Sequence, residues 1–424
     1  YPAVGARFFI YFMGLPPEFE VLGLTLETFP VAMLVLLFTA LYFVLVGGQV
    51  AIIITDFIQG LFTNVVFIVI PIYLLTLVSQ DQIMDVLSTH AEGKSRIDPF
   101  DTGNVESFNF GFFMIGVVGV FYNALSWQGT QGYNTSAKSA HEAKMGGMLG
   151  LWRGMPSGVF MLLLPIIAVT VLQHPDFGST AEHVTAALQG EPNEALHSQL
   201  QTPMTLTRLL PAGLMGLFCA MMLAAFITTN DSYLHSWGSI FIQDVVMPLR
   251  KKPLSPEAHI RILRWSIVGV AAFIFCFSMI YRESEQILMY FAITGAIFAG
   301  GSGAVIIGGL YWKRGTTAAA FAAMITGGTL AVIGVVDHER SIIPLNGQEV
   351  WALAMGAPAL VYVVVSQLSP RRFDLEGLLR RKDDKAHTEK VVLGGKSWRR
   401  ALKLGLSNPE FTRRDKVLYV VSYA

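Results

Sequence analysis

The sequence has few charged residues. Asp, Glu, Lys and Arg make up 14% of its 424 residues and hydrophobic residues make up 53%, whereas a soluble domain carries roughly 25% charge. The mean hydropathy is +0.52. A chain this poor in charge cannot cover a water-facing surface, so its composition predicts an all-α, polytopic membrane protein.

Cysteines, basic clusters and catalytic motifs are also scarce. Cys219 and Cys276 are the two cysteines, and both lie in apolar runs without a disulfide or metal-binding pattern. The formal net charge is zero, and no basic patch with interleaved aromatics indicates a nucleic acid partner. The sequence has no His-Glu zinc motif, phosphate loop or nucleophile elbow. We therefore do not expect an enzyme.

Long apolar runs are abundant. After a short apolar stretch at 1–13, the pattern predicts complete crossings of the bilayer. They lie near 29–46, 60–79, 108–127, 149–172, 209–229, 265–281, 285–311, 317–336 and 349–368. The helix of 209–229 is predicted to continue past the bilayer and to end near Asp244.

Loop charges predict the orientation. The segment 250–264 holds five Lys or Arg residues, and the tail from Arg371 is strongly basic, so both are expected in the cytoplasm. Counting crossings outward places 80–107 and 173–205 outside, and the second of these loops contains no Lys or Arg. The same count places Gly47–Gln59, Lys138–Lys144 and 370–424 inside.

The pattern suggests two regions. Residues 1–369 form the predicted transmembrane domain, and 370–424 form a cytoplasmic tail leading to a truncated further helix. The sequence begins with Tyr1 and ends as a fresh apolar run, LYVVSYA, begins. We therefore expect a fragment that lacks its first helices and its extreme C-terminus.

The segment Leu223–Val246 carries the most polar atoms of any apolar segment. Small and hydroxyl residues share one side of this predicted helix. They are Ala225, Thr228, Thr229, Ser232, Ser236 and Ser239. Hydroxyls beside free carbonyls suit a hard monovalent cation, although they can instead bond back to the preceding turn. Asp231 favours a functional reading, because an ionisable residue within a span is costly.

Prolines and glycines predict interrupted helices. Pro71, Pro156 and Pro165 lie within predicted spans. A glycine cluster in the 285–311 span indicates a hinge, although small residues also permit close helix packing. The hinge candidates are Gly295, Gly300, Gly301 and Gly303.

Four blocks together resemble the sodium:solute symporter family. The first is GGQVAIIITDFIQ at Gly47–Gln59, which resembles the family's Gly-Gly, Thr-Asp and Gln pattern. AKSAHEA at Ala137–Ala143 and AAFITTNDS at 224–232 follow in the family's order. GLYWKR at Gly309–Arg314 is similar to the exit from a late helix.

The resemblance implies a leucine-transporter-like core of two inverted five-helix repeats with additional C-terminal helices. It also implies Na⁺ as the coupling ion. The first sodium site would use the carbonyl of Ala225 and the hydroxyls of Thr228 and Thr229. A second site, found in some members, would use Asp56, Thr228, Asp231 and Ser232. Alternatively, Asp56 caps its helix and Asp231 pairs with a basic residue elsewhere.

The substrate-facing candidates lie where the helix of 108–127 would break. They are Tyr122, Asn123, Trp127 and Gln128. Trp127 is equally a candidate interfacial anchor. Family members that carry sugars have Asn-Gln in this region and Gln-Arg before the Ala-Lys-Ser block, which this sequence lacks.

The resemblance implies sodium-coupled symport of a small polar solute by alternating access. The expected partners are the solute, Na⁺ and the lipid bilayer, and the expected location is a bacterial inner (plasma) membrane. The alternatives are a transporter-like membrane sensor domain of a signalling protein and a channel. One polar stripe with scattered glycines argues against a continuous pore.

Overall fold

The computed structural model of the protein describes residues 2–105, 108–126, 131–189, 194–250, 254–280, 287–340, 345–369 and 412–423. Within these ranges the regular secondary structure is helical apart from one short hairpin, which confirms the predicted all-α fold. The described residues belong to two compact units.

The first unit contains most of the helices. They are α1 (Pro2–Met13), α2 (Thr28–Leu77), α3 (Gln80–Ser88), α5 (Gln131–Ser136), α6 (Ala140–Gln173), α7 (Gly178–Gln189), α8 (Glu194–Leu209), α9 (Ala212–Ile240), α10 (Met247–Leu249), α11 (Pro256–Ile280) and α15 (Arg413–Tyr423). Helices α2 and α9 pack against each other extensively. Leucine, isoleucine, valine and phenylalanine side chains from α1, α2, α6 and α9 form the largest core cluster. This packing places the polar residues of α2 and α9 within reach of each other.

Helix α2 differs from the sequence prediction. Its 50 residues include one non-helical position, Gly48, with φ 57° and ψ −160°. Helix of this length extends about 75 Å, more than twice the ~30 Å hydrocarbon core, so α2 has room for two crossings with the break at Gly48. The segment Gly47–Gln59, predicted on the inner side, is helical from Gln49 onward, and its side of the membrane stays a prediction.

Each remaining predicted crossing coincides with a helix of the described residues, although the bounds differ: the crossing predicted from 209 begins at Ala212 of α9. Among the described residues, six helical segments are long and apolar enough to span a membrane. Helix α6 continues through Pro156 and Pro165 and begins at Ala140, so the interruption expected there is not seen. The helix predicted to end near Asp244 instead passes through a π-helical turn at Phe241–Val246 and ends at Leu249.

A two-stranded hairpin precedes α2. Strands β1 (Glu18–Val21) and β2 (Leu24–Glu27) pair antiparallel. The turn residues Leu22 and Gly23 have φ values of 54° and 80°, as a type I′ hairpin turn requires. The alternation of EFEV and LTLE predicts such strands, but our sequence analysis did not identify them.

The second unit contains α4 (Phe110–Ser126), α12 (Ile287–Tyr311), α13 (Thr317–Arg340) and α14 (Gly347–Leu368). Helices α12, α13 and α14 all pack on one another. A capping box at Asn346 and Glu349 starts α14: the Asn346 side chain accepts from the Glu349 amide, and the Glu349 side chain accepts from the Asn346 amide.

Helix α15 packs on the N-terminal half of α6. Trp152 Nε1 donates to Ser422 Oγ at 3.0 Å, and the Lys144 ammonium lies 5.2 Å from the Tyr419 ring centroid. His141 Nε2 lies 3.5 Å from Asp415 Oδ2. Several different contacts therefore hold the end of the chain against α6.

Candidate functional site

The polar residues of α9 differ in how deeply they are buried. Asn230 and Asp231 are buried, at 3% and 0% exposure, among the apolar residues that pack α9 in its unit. Thr228 and Thr229 are only half-buried. The predicted stripe is thus accompanied by a more deeply buried polar pair, of which the sequence analysis identified only Asp231.

The residues of the predicted first sodium site share a single turn of α9. Thr228 Oγ1 donates to the Ala225 carbonyl at 3.2 Å, so the back-bonding alternative describes this hydroxyl. The same bond places two oxygens side by side, and the half-buried Thr229 is the next residue along. The role of Ala225, Thr228 and Thr229 in binding sodium stays a prediction.

The residues of the predicted second site come together. Ser232 Oγ lies 3.5 Å from Asp56 Oδ2 and 3.4 Å from Asp231 Oδ1. Asp56 belongs to α2, whereas Asp231 and Ser232 belong to α9. The helix pair therefore brings together two acidic residues that are 175 positions apart in the sequence (231 − 56). Thr228 lies one turn earlier on α9 than Ser232.

Tyr133 of α5 completes this cluster. Its hydroxyl donates to Asp56 Oδ2 at 2.5 Å and lies 2.5 Å from Ser232 Oγ. No sequence pattern singled out Tyr133. Its position in a short polar stretch carried no signal for a contact with α2, because only the fold determines that contact.

Two carboxylate oxygens of the cluster have no hydrogen-bond partner in the described structure. They are Asp56 Oδ1 and Asp231 Oδ2. A buried charged oxygen without a partner costs free energy that a bound cation would offset. The donors of this cluster are all oxygens, which is the ligand type that hard cations prefer. The residues present therefore fit a sodium ion.

Asp56 also has neighbours outside the cluster. Asp56 lies about two turns into the helical stretch that follows Gly48, so it does not cap the start of that stretch. One turn further along, the guanidinium of Arg153 packs over Gly60, where an added Cβ would lie 3.5 Å from Arg153 Cζ. Arg153 also interacts electrostatically with Asp56.

The glycines of the predicted hinge lie in the second unit, and three of them are at close helix contacts. An added Cβ would lie 2.7 Å from the Ala354 carbonyl oxygen at Gly300, 2.4 Å from Met324 Cα at Gly301, and 2.2 Å from the Tyr122 ring at Gly303. At Gly295 nothing lies within 4 Å. Close packing explains the first three glycines, and the hinge stays a prediction.

Tyr122 is a buried packing residue of the same unit. Its hydroxyl donates to the Gly300 carbonyl at 2.7 Å and lies 3.3 Å from the Met355 carbonyl oxygen. It therefore links α4 to α12 and α14. Of the other substrate-facing candidates, Trp127 and Gln128 lie outside the described residues, as does the side chain of Asn123.

Comparison with solved structures supports the architecture. The chain superposes on a Na⁺-coupled sialic acid symporter, solved in a substrate-bound outward-open state and reported to have a novel Na⁺ site. The TM-score is 0.60 at 17% sequence identity, over 87% of this chain and 72% of that chain. The fold is thus a leucine-transporter-like helix bundle.

Comparison of sequences gives the family. The profile of the sodium:solute symporter family matches residues 19–327, and the chain belongs to this family. It is 27% identical to sodium/myo-inositol cotransporter 2 of Mus musculus over 206 residues, 47% of this chain and 30% of that protein. It is 26% identical to sodium/mannose cotransporter SLC5A10 of Bos taurus over 197 residues, 45% of this chain and 32% of that protein. The aligned region thus covers about a third of each curated relative.

Proposed function

We propose that this chain belongs to a sodium-coupled symporter that carries a small polar solute by alternating access. The observation that carries the proposal is the cluster in which Asp56 and Asp231 each retain a buried oxygen without a hydrogen-bond partner among the described residues. Family membership and the names of the relatives, which are sodium-coupled carriers of polar solutes, support it. All of these proteins are transporters and none is an enzyme.

The first coupling sodium is assigned to α9. The Ala225 carbonyl and the hydroxyls of Thr228 and Thr229 are its proposed ligands. The hydrogen bond that brings the Thr228 hydroxyl next to the Ala225 carbonyl oxygen supports this assignment. Ligands from other helices would complete the coordination.

A second sodium is assigned to the Asp56 cluster. Its proposed ligands are Asp56, Thr228, Asp231 and Ser232, and carboxylate oxygens of both aspartates lie within 3.5 Å of Ser232 Oγ. Two carboxylates close together repel each other when no cation is present. A sodium ion between them would remove that repulsion and would satisfy the unpartnered oxygens.

The proposed coupling is energetically sufficient. One Na⁺ moving through about 100 mV contributes roughly 2.3 kcal/mol, and a tenfold gradient adds about 1.4 kcal/mol. Together these could concentrate a neutral solute roughly several hundredfold. A second sodium would about square that ratio, so the stoichiometry sets how steep a solute gradient the carrier maintains.

The protein is an integral membrane protein, and we place it in a membrane that maintains a sodium gradient, in a bacterium the inner (plasma) membrane. Its proposed partners are the lipid bilayer, Na⁺ and the solute, with no nucleic acid. Residues 1–369 form the proposed transporter domain. Residues 370–424 form the proposed cytoplasmic tail, supported by its basic composition.

Uptake into proteoliposomes tests the function. Full-length protein is offered a panel of labelled polar solutes with an inward sodium gradient, and choline replaces sodium in the control. We expect saturable uptake of at least one solute only with sodium. Uptake that does not saturate would favour a channel. Uptake that is equal with sodium and with choline would contradict the coupling of solute transport to sodium.

Reversal potentials test the second sodium. We expect two sodium ions per solute in the wild type and one in Asp56→Asn. Asp244→Asn is the matched control, because it removes a carboxylate from an exposed position in the π-helical turn. A ratio of one in both the wild type and Asp56→Asn would contradict the second site.

A further inference from the structure

A single hydroxyl joins three helices at the Asp56 cluster. Tyr133 Oη, on α5, lies 2.5 Å from Asp56 Oδ2 on α2 and 2.5 Å from Ser232 Oγ on α9. Phenol to carboxylate is a charge-assisted hydrogen bond, and such bonds are roughly twice as strong as neutral ones. Tyr133 therefore restrains two of the proposed sodium ligands at once.

The tyrosine engages only one oxygen of the Asp56 carboxylate. Oδ2 accepts from Tyr133, whereas Oδ1 has no hydrogen-bond partner within the described ranges. Asp231, fully buried, likewise uses Oδ1 toward Ser232 and keeps Oδ2 without a partner. The hydroxyl thus fixes the carboxylate while leaving an oxygen for a cation.

Helix α5 is itself fastened to α2. Gln49 Nε2 lies 2.7 Å from the Gly132 carbonyl oxygen and 2.9 Å from Ser136 Oγ. Gln49 and Asp56 are seven residues apart and so share one face of α2. Gly132 permits this approach, since an added Cβ would lie 3.0 Å from Gln49 Nε2. The position of Tyr133 is therefore set by its own helix, α5, and by the contact of that helix with Gln49 of α2.

We propose that Tyr133 is a positioning residue of the second sodium site, acting through Asp56 and Ser232. This inference rests on the proposed second site. It adds that the geometry of that site depends on α5, a helix that contributes none of the proposed ligands. Loss of the hydroxyl should leave the carboxylate in place but free to rotate, so that sodium binds more weakly.

The test is a double-mutant cycle in the full-length transporter. Tyr133→Phe should raise the sodium concentration for half-maximal uptake by about tenfold, as expected for a lost hydrogen bond to a charged group. In the Asp56→Asn background the same change should have no further effect, because the residue it acts through is already altered. Tyr73→Phe is the matched control: it removes a hydroxyl from α2 that lies 3.4 Å from the Leu209 carbonyl oxygen.

The outcomes separate this inference from the proposed second site. If Tyr133→Phe raises the half-maximal sodium concentration equally in both backgrounds, the residue has only a structural role and the inference is wrong. If Asp56→Asn leaves the sodium stoichiometry unchanged, the second site itself fails, and the inference fails with it. If the stoichiometry falls in Asp56→Asn but Tyr133→Phe behaves like the wild type, only the role of Tyr133 is refuted.

A second variant covers the case in which Tyr133→Phe does not fold. Gln49→Ala loosens the attachment of α5 without touching the cluster, and it should weaken sodium binding in the same direction. Thermal stabilisation of the purified protein by sodium provides a readout independent of uptake. Unchanged sodium stabilisation in Gln49→Ala would contradict the dependence on α5.

Discussion

Gly303 of α12 lies directly against the ring of Tyr122 on α4. A Cβ built at Gly303 would be 2.2 Å from two ring carbons, a separation that real side chains do not reach. The hydroxyl of the same tyrosine donates to the Gly300 carbonyl at 2.7 Å. Ring and hydroxyl together therefore fix the distance between the two helices.

Gly303→Ala should destabilise the second unit. The ring cannot withdraw without breaking its hydrogen bond, so we expect a loss of about 1–3 kcal/mol, as for other overpacked contacts. Thermal unfolding of the purified protein measures it. Gly309→Ala lies in the same helix with nothing within 4 Å, and its melting temperature should match that of the wild type. Equal melting temperatures for Gly303→Ala and Gly309→Ala would contradict this prediction, because they would show that α4 and α12 can move apart without a loss of stability.

Thr229→Ala should weaken the dependence of transport on sodium. The change removes a proposed oxygen ligand and leaves the helix intact, so half-maximal uptake should need roughly tenfold more sodium. Thr39→Ala is the control, because the Thr39 hydroxyl bonds only to the Val35 carbonyl of its own helix. An unchanged sodium dependence in both Thr228→Ala and Thr229→Ala would place the site elsewhere.

Cysteine labelling tests the predicted orientation. Loop charges place His183 outside and Lys252 inside. With Cys219 and Cys276 replaced by serine, an impermeant thiol reagent should label His183→Cys in intact cells and Lys252→Cys only after permeabilisation. The reverse pattern would overturn the topology.

The contact between α15 and α6 can be captured by a chemical cross-link. Trp152 and Ser422 are joined by a 3.0 Å hydrogen bond from the far edge of the indole, so Trp152→Cys with Ser422→Cys should cross-link through a short bifunctional thiol reagent whose spacer takes the place of the indole. The pair Trp152→Cys with Val421→Cys is the control, because Val421 is 52% exposed and lies on a different face. Equal cross-linking in both pairs would indicate that α15 has no fixed register on α6.

The contribution of Asp415 to the stability of α15 should be insensitive to pH across the neutral range. A hydrogen bond from the Thr412 side chain is the main cause that lowers the pKa of Asp415 below its ordinary value. The contribution of this carboxylate to α15 is therefore complete above the unfolded pKa of about 3.9 and is lost as the pH falls through the lowered value. The decrease in melting temperature caused by Asp415→Asn should be equal at pH 8 and pH 5, and a steep change in that decrease between them would contradict the assignment.

The sequence predicted the class of fold and three of the four residues of the cluster, all but Tyr133. Apolar runs located the long apolar helices of the described residues because bilayer thickness sets helix length, and the cost of a buried charge identified Asp231. The Tyr133 contact could not be predicted, since it depends on how α5 docks between α2 and α9. The pattern did not predict that Gly47–Gln59 is helical from Gln49 onward, because the two flanking apolar runs were counted as separate crossings. The hairpin before α2 was overlooked although its alternation and glycine turn were visible.

The break in α2 has a consequence for mutational tolerance. The dihedral angles of Gly48 lie in a region that is essentially restricted to glycine, yet nothing would lie within 4 Å of an added Cβ. Any substitution there is unfavourable for the backbone alone, by about 1–3 kcal/mol, however small the side chain. Gly303 would be intolerant for the opposite reason, since its backbone is helical and only space is lacking. The stability lost in the two alanine variants would therefore respond differently to a second substitution. A smaller neighbouring side chain could restore the stability of Gly303→Ala. No neighbouring substitution could restore that of Gly48→Ala.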